Sequence, residues 1–147
     1  MAGLTHILRH RIQSPILPDL TQTNLNYNFL VPPSIRESEF YHEFLEICHE
    51  SSELERRENN FYYRLVSATF PMITSINARE LFHIFKLRLC DRAQWEIREI
   101  AEKMLAEVKK KSNILFKKTG PSCIVLGYCP EGSHTCGKIN EMKEKYL

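Results

Sequence analysis

No apolar run in the 147 residues is long enough to cross a bilayer, which argues against a membrane-spanning helix. The opening Met1-Ala2-Gly3-Leu4-Thr5-His6-Ile7-Leu8-Arg9 also lacks the continuous apolar core of a secretory signal, so the expected compartment is the cytoplasm. A strong excess of either charge is missing as well. The 20 Lys and Arg against 18 Asp and Glu leave a formal charge of +2, which calls for neither a nucleic-acid surface nor a disordered acidic tail. Nor do the cysteines form a secreted disulfide framework. There are five, an odd number, Cys48 and Cys90 fall inside helix-like segments, and Cys-x-x-Cys does not occur. A reducing compartment fits that usage. No internal repeat is visible.

The length suits one main domain, with enough chain to bury a core but little for a large cofactor enzyme working as a monomer. Partners in an oligomer would help. Near the amino end, Leu4 to Leu8 run into Arg9-His10-Arg11 and then Ser14, after which Pro15 and Pro18 stop any regular helix or central strand. After Pro32-Pro33, Ser34 with Glu37 three residues on reads as a capping box, and Ile35, Phe40, Phe44, Leu45 and Cys48 give a helical face, so a helix is predicted from about 34 to about 57. Phe61 to Val66 and Phe70 to Ile76, rich in aromatic and β-branched residues, are predicted as two short strands or extended segments.

Helical pattern resumes at Asn77. Leu81, Ile84 and Phe85 line one face, yet Arg88 falls on the same stripe, at i+7 from Leu81 and i+4 from Ile84. A guanidinium stays charged at any accessible pH, and burying it alone costs several kcal/mol, so Arg88 needs an anionic or strongly polar partner. That partner is either a carboxylate of the chain or a ligand. Arg79 and His83, four apart, share another face and can grip one ligand together or stand in solvent. Asp91 is a candidate cap before a second helix, whose stripe is Ile97, Ile100, Ala101, Met104, Leu105 and Val108. Lys109-Lys110-Lys111 complement its carboxyl-terminal dipole.

From Thr119 the composition shifts to Gly, Pro, Cys and Ser, and the chain divides by composition into 1–118 and a loop-rich tail, 119–147. Cys123, Cys129, His134 and Cys136 in that tail offer the atoms for tetrahedral zinc, at spacings looser than those of zinc knuckles. Plain reduced thiols are the other reading, and no metal is assigned.

Arg9-His10-Arg11-x-x-Ser14, then Asn77-Ala78-Arg79-Glu80-Leu81, Leu87-Arg88 and Ala93-Gln94-Trp95-Glu96-Ile97-Arg98 in that order, resemble the signature of the flavin-dependent thymidylate synthases. The second block matches over more than twenty consecutive residues (77–98), and the first matches at its start. The resemblance implies an α+β subunit with helices packed on a small sheet, assembling as a homo-oligomer, a tetramer in the family. It implies FAD as cofactor, NADPH and methylenetetrahydrofolate as co-substrates, and conversion of dUMP to dTMP without a cysteine nucleophile. Arg88 is then the residue that activates the uracil. Arg9 is a substrate contact as well as an FAD contact, and His10, Arg11, Asn77, Arg79 and His83 are further FAD contacts.

The chain departs from the signature in places. Where the family continues from Ser14 to substrate-binding residues, Ile16, Asp19 and Thr21 stand, and Asp19 is expected to repel a phosphate. A family arginine ahead of the second block is replaced by Phe61, with Arg57 and Arg64 nearby as substitutes. Eight residues precede Arg9, so a fragment, half of a split protein, or a divergent or N-terminally shortened member is expected. Two alternatives stand beside the enzyme: a catalytically silent flavin- or nucleotide-binding homologue, and a metal-stabilised interaction module built on the tail.

Overall fold

The structure, a computed structural model, describes residues 13–147, with side chains from Ile16 onward. Arg9, His10 and Arg11 lie outside the described residues. The described chain forms two compact units, residues 14–75 and residues 76–147. Helices dominate and the strands are short, in keeping with an α+β chain.

The first unit contains β1 (Gln13–Ile16), β2 (Asn28–Phe29), α1 (Pro33–Arg36), α2 (Tyr41–Arg57), a single 3-10 turn (Phe61–Tyr63), β3 (Ala68–Thr69) and β4 (Ile73–Ser75). β1 pairs with β4, and β2 runs antiparallel to β3 with Asn28 opposite Thr69 and Phe29 opposite Ala68. The helix predicted over 34–57 is broken at 37–40. There the Ser38 hydroxyl donates to the Ile35 carbonyl at 2.8 Å and accepts from the Phe40 N–H at 3.2 Å, competing with the helical ladder. α2 then buries Cys48, Ser51 and Glu55 along one stripe. Phe61 to Val66 is not a strand. Asn59 takes a left-handed conformation, with φ at 47°, that ends α2, and the Asn60 side chain accepts from the Tyr62 N–H at 3.0 Å, winding Phe61–Tyr63 into the 3-10 turn.

A buried ion pair ties this unit together. Glu55 has no exposed side-chain surface and Arg64 only 8%. The guanidinium of Arg64 grips both carboxylate oxygens, through Nε at 3.0 Å and through the other arm of its fork. It also donates to the carbonyls of Leu20 and Gln22, each at 2.6 Å. The Tyr27 and Phe70 rings cover it at 5.1 and 5.0 Å, and the Tyr27 hydroxyl donates to Glu55 at 2.5 Å. Burial, and then the hydrogen bond to the Glu55 carboxylate, push the Tyr27 phenol up to about 12.

The second unit contains α3 (Ala78–Arg88), α4 (Trp95–Lys111), α5 (Asn113–Phe116), α6 (Ser122–Leu126), a 3-10 turn (Gly132–His134) and α7 (Ile139–Tyr146). Its core is Phe85, Leu89, Ala101, Leu105, Phe116, Met142 and Tyr146. Burying each of the larger of these contributes about 1.5–3 kcal/mol. The expected stripe on α4 is met at Ile97, Ala101 and Leu105, with Met104 and Val108 packed beside them, whereas Ile100 turns outward. The change of composition at Thr119 falls inside this unit. Met142 and Tyr146, four apart on α7, carry the chain's end into the core, and the Tyr146 hydroxyl donates to Glu102 at 3.1 Å. Gly127 closes α6 at a φ of 79°, a conformation that strains any residue with a Cβ. Among the described residues no helix is long and apolar enough to cross a membrane.

Candidate functional site

α3 starts because Asn77, in extended conformation, turns its side chain back onto the helix and accepts from the Glu80 N–H at 2.9 Å. This cap leaves Glu80 in the first turn, where its charge suits the helix dipole. Arg79 and His83 stand one turn apart on the solvent-exposed side. Ile84, Phe85 and Leu89 face the core, and Arg88, in the last turn, is half-buried at the edge of that face. The core stripe therefore passes from Phe85 to Leu89, which leaves Arg88 at the border between packing and a pocket.

Nine residues at about 100° each put Arg88 roughly 180° around the helix from Arg79. Within one chain the two arginines address different spaces. Asn77, Arg79 and His83 thus group at the start of α3, and Arg88 belongs to a separate surface at its end.

That surface is a pocket of about 230 Å³ whose walls include Lys86, Arg88, Arg92 and four cysteines, Cys90, Cys123, Cys129 and Cys136. Burial first, and then the neighbouring thiols of Cys90 and Cys129, push the Cys123 thiol up, with Cys136 adding to the effect. The Ser122 hydroxyl donates to the Lys86 carbonyl at 3.1 Å, pinning α6 to the end of α3. Asp91 is not a helix cap. α4 begins at Gln94 with no side-chain cap, and Asp91 instead accepts from Arg98 at 2.8 Å and from Lys138 at 3.0 Å. The hydrogen bond from Lys138, and then the charges of Lys138 and Arg98, hold its carboxyl below the usual range. Arg98 thereby takes Asp91 as its carboxylate.

The departures from the signature also have structural counterparts. Asp19 folds onto Thr21, accepting from its N–H at 3.0 Å and its hydroxyl at 2.7 Å, so its charge is held in a turn. Ile16 is exposed. Of the two substitute arginines, Arg64 is committed to Glu55, and Arg57 pairs on the surface with Glu58 at 3.0 Å. Sequence reasoning missed Cys90 as a neighbour of the tail cysteines. His134 is exposed and is not among the pocket walls.

A sequence profile of the family described as "Thymidylate synthase complementing protein" matches residues 2–112. The chain belongs to that family. Among its relatives, the flavin-dependent thymidylate synthase of Clostridium tetani is 37% identical over 172 aligned positions, covering 99% of this chain and 69% of the relative. The Pyrococcus furiosus protein of the same name is 39% identical over 146 positions, covering 86% of this chain and 60% of the relative. The Saccharolobus solfataricus protein is 63% identical over 54 positions, 37% of this chain. The chain thus spans 60–69% of the first two relatives. The Clostridium alignment is longer than this chain, so that family member carries residues with no counterpart here. A crystal structure of the flavin-dependent thymidylate synthase of Helicobacter pylori, complexed with FAD and dUMP, superposes with a TM-score of 0.63 at 20% identity, covering 81% of this chain and 68% of the other. It shares the fold of the family.

Proposed function

We propose that the chain is a subunit of a flavin-dependent thymidylate synthase, which methylates dUMP to dTMP with methylenetetrahydrofolate as carbon donor and NADPH as reductant. The observation that carries this reading is the near-continuous signature block from Asn77 to Arg98, which spans the capped helix α3, with its cations divided between two faces, the corner after it and the first turn of α4. When bound, FAD supplies the redox chemistry that carries the one-carbon unit. The donors at the start of α3 fit its pyrophosphate: about two negative charges, attracted by an exposed arginine, an imidazole and a helix amino terminus. Asn77, Arg79 and His83 would hold it there, joined by Arg9, His10 and Arg11 from the first block.

Arg88 has a different task. A pyrimidine that reacts at C5 without a cysteine nucleophile must shift charge onto its carbonyl oxygens and N3, and a fixed cation stabilises that charge more in the transition state than in the ground state. Arg88 suits this because half-burial restricts its guanidinium and its place in the last turn of α3 sets a cation against the negative end of the helix dipole. The pocket beside it, about 230 Å³, is smaller than the roughly 300–1,000 Å³ of ordinary small-molecule sites. With Arg79 and Arg88 on opposite faces, the reading requires copies of the chain to complete each site, as a homo-oligomer and in the family's manner a tetramer. A cytoplasmic location accords with five free cysteines.

The test is dUMP-dependent NADPH oxidation by the purified chain. Yellow protein that oxidises NADPH faster with dUMP and folate present supports the enzyme. Yellow protein indifferent to dUMP selects the silent flavin-binding homologue. Arg88→Ala is expected to lower turnover by about 10²–10³-fold with bound FAD retained. Loss of FAD with unchanged turnover per remaining flavin would remove Arg88 from its assigned role.

A further inference from the structure

We propose that Cys90, Cys123, Cys129 and Cys136 form a four-thiolate zinc site that fastens the carboxyl-terminal segment to the corner between α3 and α4. The sequence alone offers Cys123, Cys129, His134 and Cys136, all from the tail. The folded chain exchanges one ligand, because four of the five cysteines line a single pocket while His134 is exposed and not among its walls. Cys90 comes from the corner after α3, Cys123 from the first turn of α6, and Cys129 and Cys136 from the loops on either side of the Gly132–His134 turn. All four are partly buried, as ligands of a closed structural site should be.

The surroundings suit the charge of such a centre. Four thiols lose four protons to solvent on binding one Zn²⁺, which leaves two net negative charges. Three cations in the pocket walls, Lys86, Arg88 and Arg92, outnumber its two carboxylates, Asp91 and Glu131, and partly offset those charges. The segment is docked by two bonds of its own, Ser122 to the Lys86 carbonyl at 3.1 Å and Lys138 to Asp91 at 3.0 Å. These bonds hold Cys123 and Cys136 near Cys90 by their chain neighbours.

Among the described residues no three His, Cys, Asp or Glu side chains are already gathered about one point. Tetrahedral zinc at about 2.3 Å from each sulfur needs the sulfurs about 3.8 Å apart, so the loops must draw inward on binding. Space for that movement is present: Gly127 and Gly137, two residues before Cys129 and directly after Cys136, stand in open surroundings.

The experiment uses the full chain, purified under reducing conditions without added metal or chelator. Zinc measured by mass spectrometry is expected at about one equivalent per chain, with X-ray absorption reporting four sulfur neighbours at about 2.3 Å. Cys90→Ser and Cys123→Ser should lose zinc, and His134→Ala and Cys48→Ser should keep it. If the serine variants do not fold, wild-type thiol titration decides: four of the five cysteines should react only after a chelator is added. A shell of three sulfurs and one nitrogen would refute the assignment of Cys90. Absence of zinc, with the pocket thiols freely reactive or joined as disulfides, would refute the site altogether. None of these readouts depends on bound flavin, so failure of the zinc site and failure of the synthase reading are distinguishable.

Discussion

Removing the carboxylate of Glu55 is the sharpest stability test that the first unit offers. In Glu55→Gln the guanidinium of Arg64 stays buried, with 8% of its side chain exposed, and keeps the carbonyls of Leu20 and Gln22 but loses its counter-charge. Breaking a buried pair from one side costs about 3–5 kcal/mol, because the remaining charge is left in a poorly solvated place. The two aromatic rings over Arg64 return little, about 0.5–2 kcal/mol for a cation over a ring, and they are present before and after the change. With a urea slope of about 2 kcal/mol per molar, a loss near 4 kcal/mol moves the midpoint down by about 2 M. The assay is urea unfolding followed by circular dichroism.

A paired replacement, Glu55→Leu with Arg64→Met, separates charge from packing. Apolar substitution of a whole buried pair is often neutral or stabilising, but here it also strands the two carbonyls that Arg64 serves, at about 1–3 kcal/mol each where water cannot reach them. The double variant should therefore be more stable than Glu55→Gln yet less stable than wild type. A Glu55→Gln midpoint within about 0.5 M of wild type would refute the reasoning, since that corresponds to only about 1 kcal/mol.

Burial and the hydrogen bond to Glu55 push the Tyr27 phenol up from 10.0 to about 12. Its neutral form is favoured on folding, so its contribution is complete below pH 10 and is lost as pH rises from 10 towards 12, a loss that stability curves of wild type and Tyr27→Phe across that range should reveal as a difference in slope. Asp91→Asn removes two partly exposed ion pairs, to Arg98 and Lys138, and should cost about 1 kcal/mol in total, measured by thermal unfolding in low salt. Asn77→Ala deletes the cap on α3 and should cost about 1 kcal/mol, while Asn77→Asp restores the cap and, by adding a negative charge near the expected pyrophosphate, should weaken FAD retention. Retained FAD in the aspartate variant would exclude Asn77 as a cofactor contact.

Much of the fold was legible where periodicity is strong and local. The stripe on α4 reads directly from Ile97, Ala101 and Leu105, and Asn77 announces the start of α3 by its chemistry. The first unit was harder, because side chains outcompete backbone pattern there. One hydroxyl, that of Ser38, divides the helix expected over 34–57, and one amide, that of Asn60, turns an aromatic run that reads as a strand into a 3-10 turn. The packing of the tail was hidden for a related reason. Its Gly and Pro content conceals Ile139, Met142 and Tyr146, whose i, i+3, i+7 spacing is a helical face set among charges, and that face carries the segment into the core.

The same docking explains why the site was only half legible. The signature block singles out Arg79, His83 and Arg88 as candidates through the family resemblance, whereas residue type and spacing alone leave an arginine on an apolar stripe free to pair with a carboxylate of the chain, as Arg64 does with Glu55. Spacing also separates Arg79 from Arg88 by half a turn of helix, so one helix presents its cations to two places. What spacing cannot convey is which distant residues come to stand beside Arg88. Those are the tail cysteines, brought near Cys90 by Met142 and Tyr146 in the core and by Lys138 on Asp91. If the thiols close on zinc, the last turn of α3 is braced from the tail side, two residues from Arg88. The guanidinium would then owe its fixed position to a centre that takes no part in the reaction. Chelation should accordingly lower turnover before it releases FAD, because the flavin donors sit at the opposite end of the same helix.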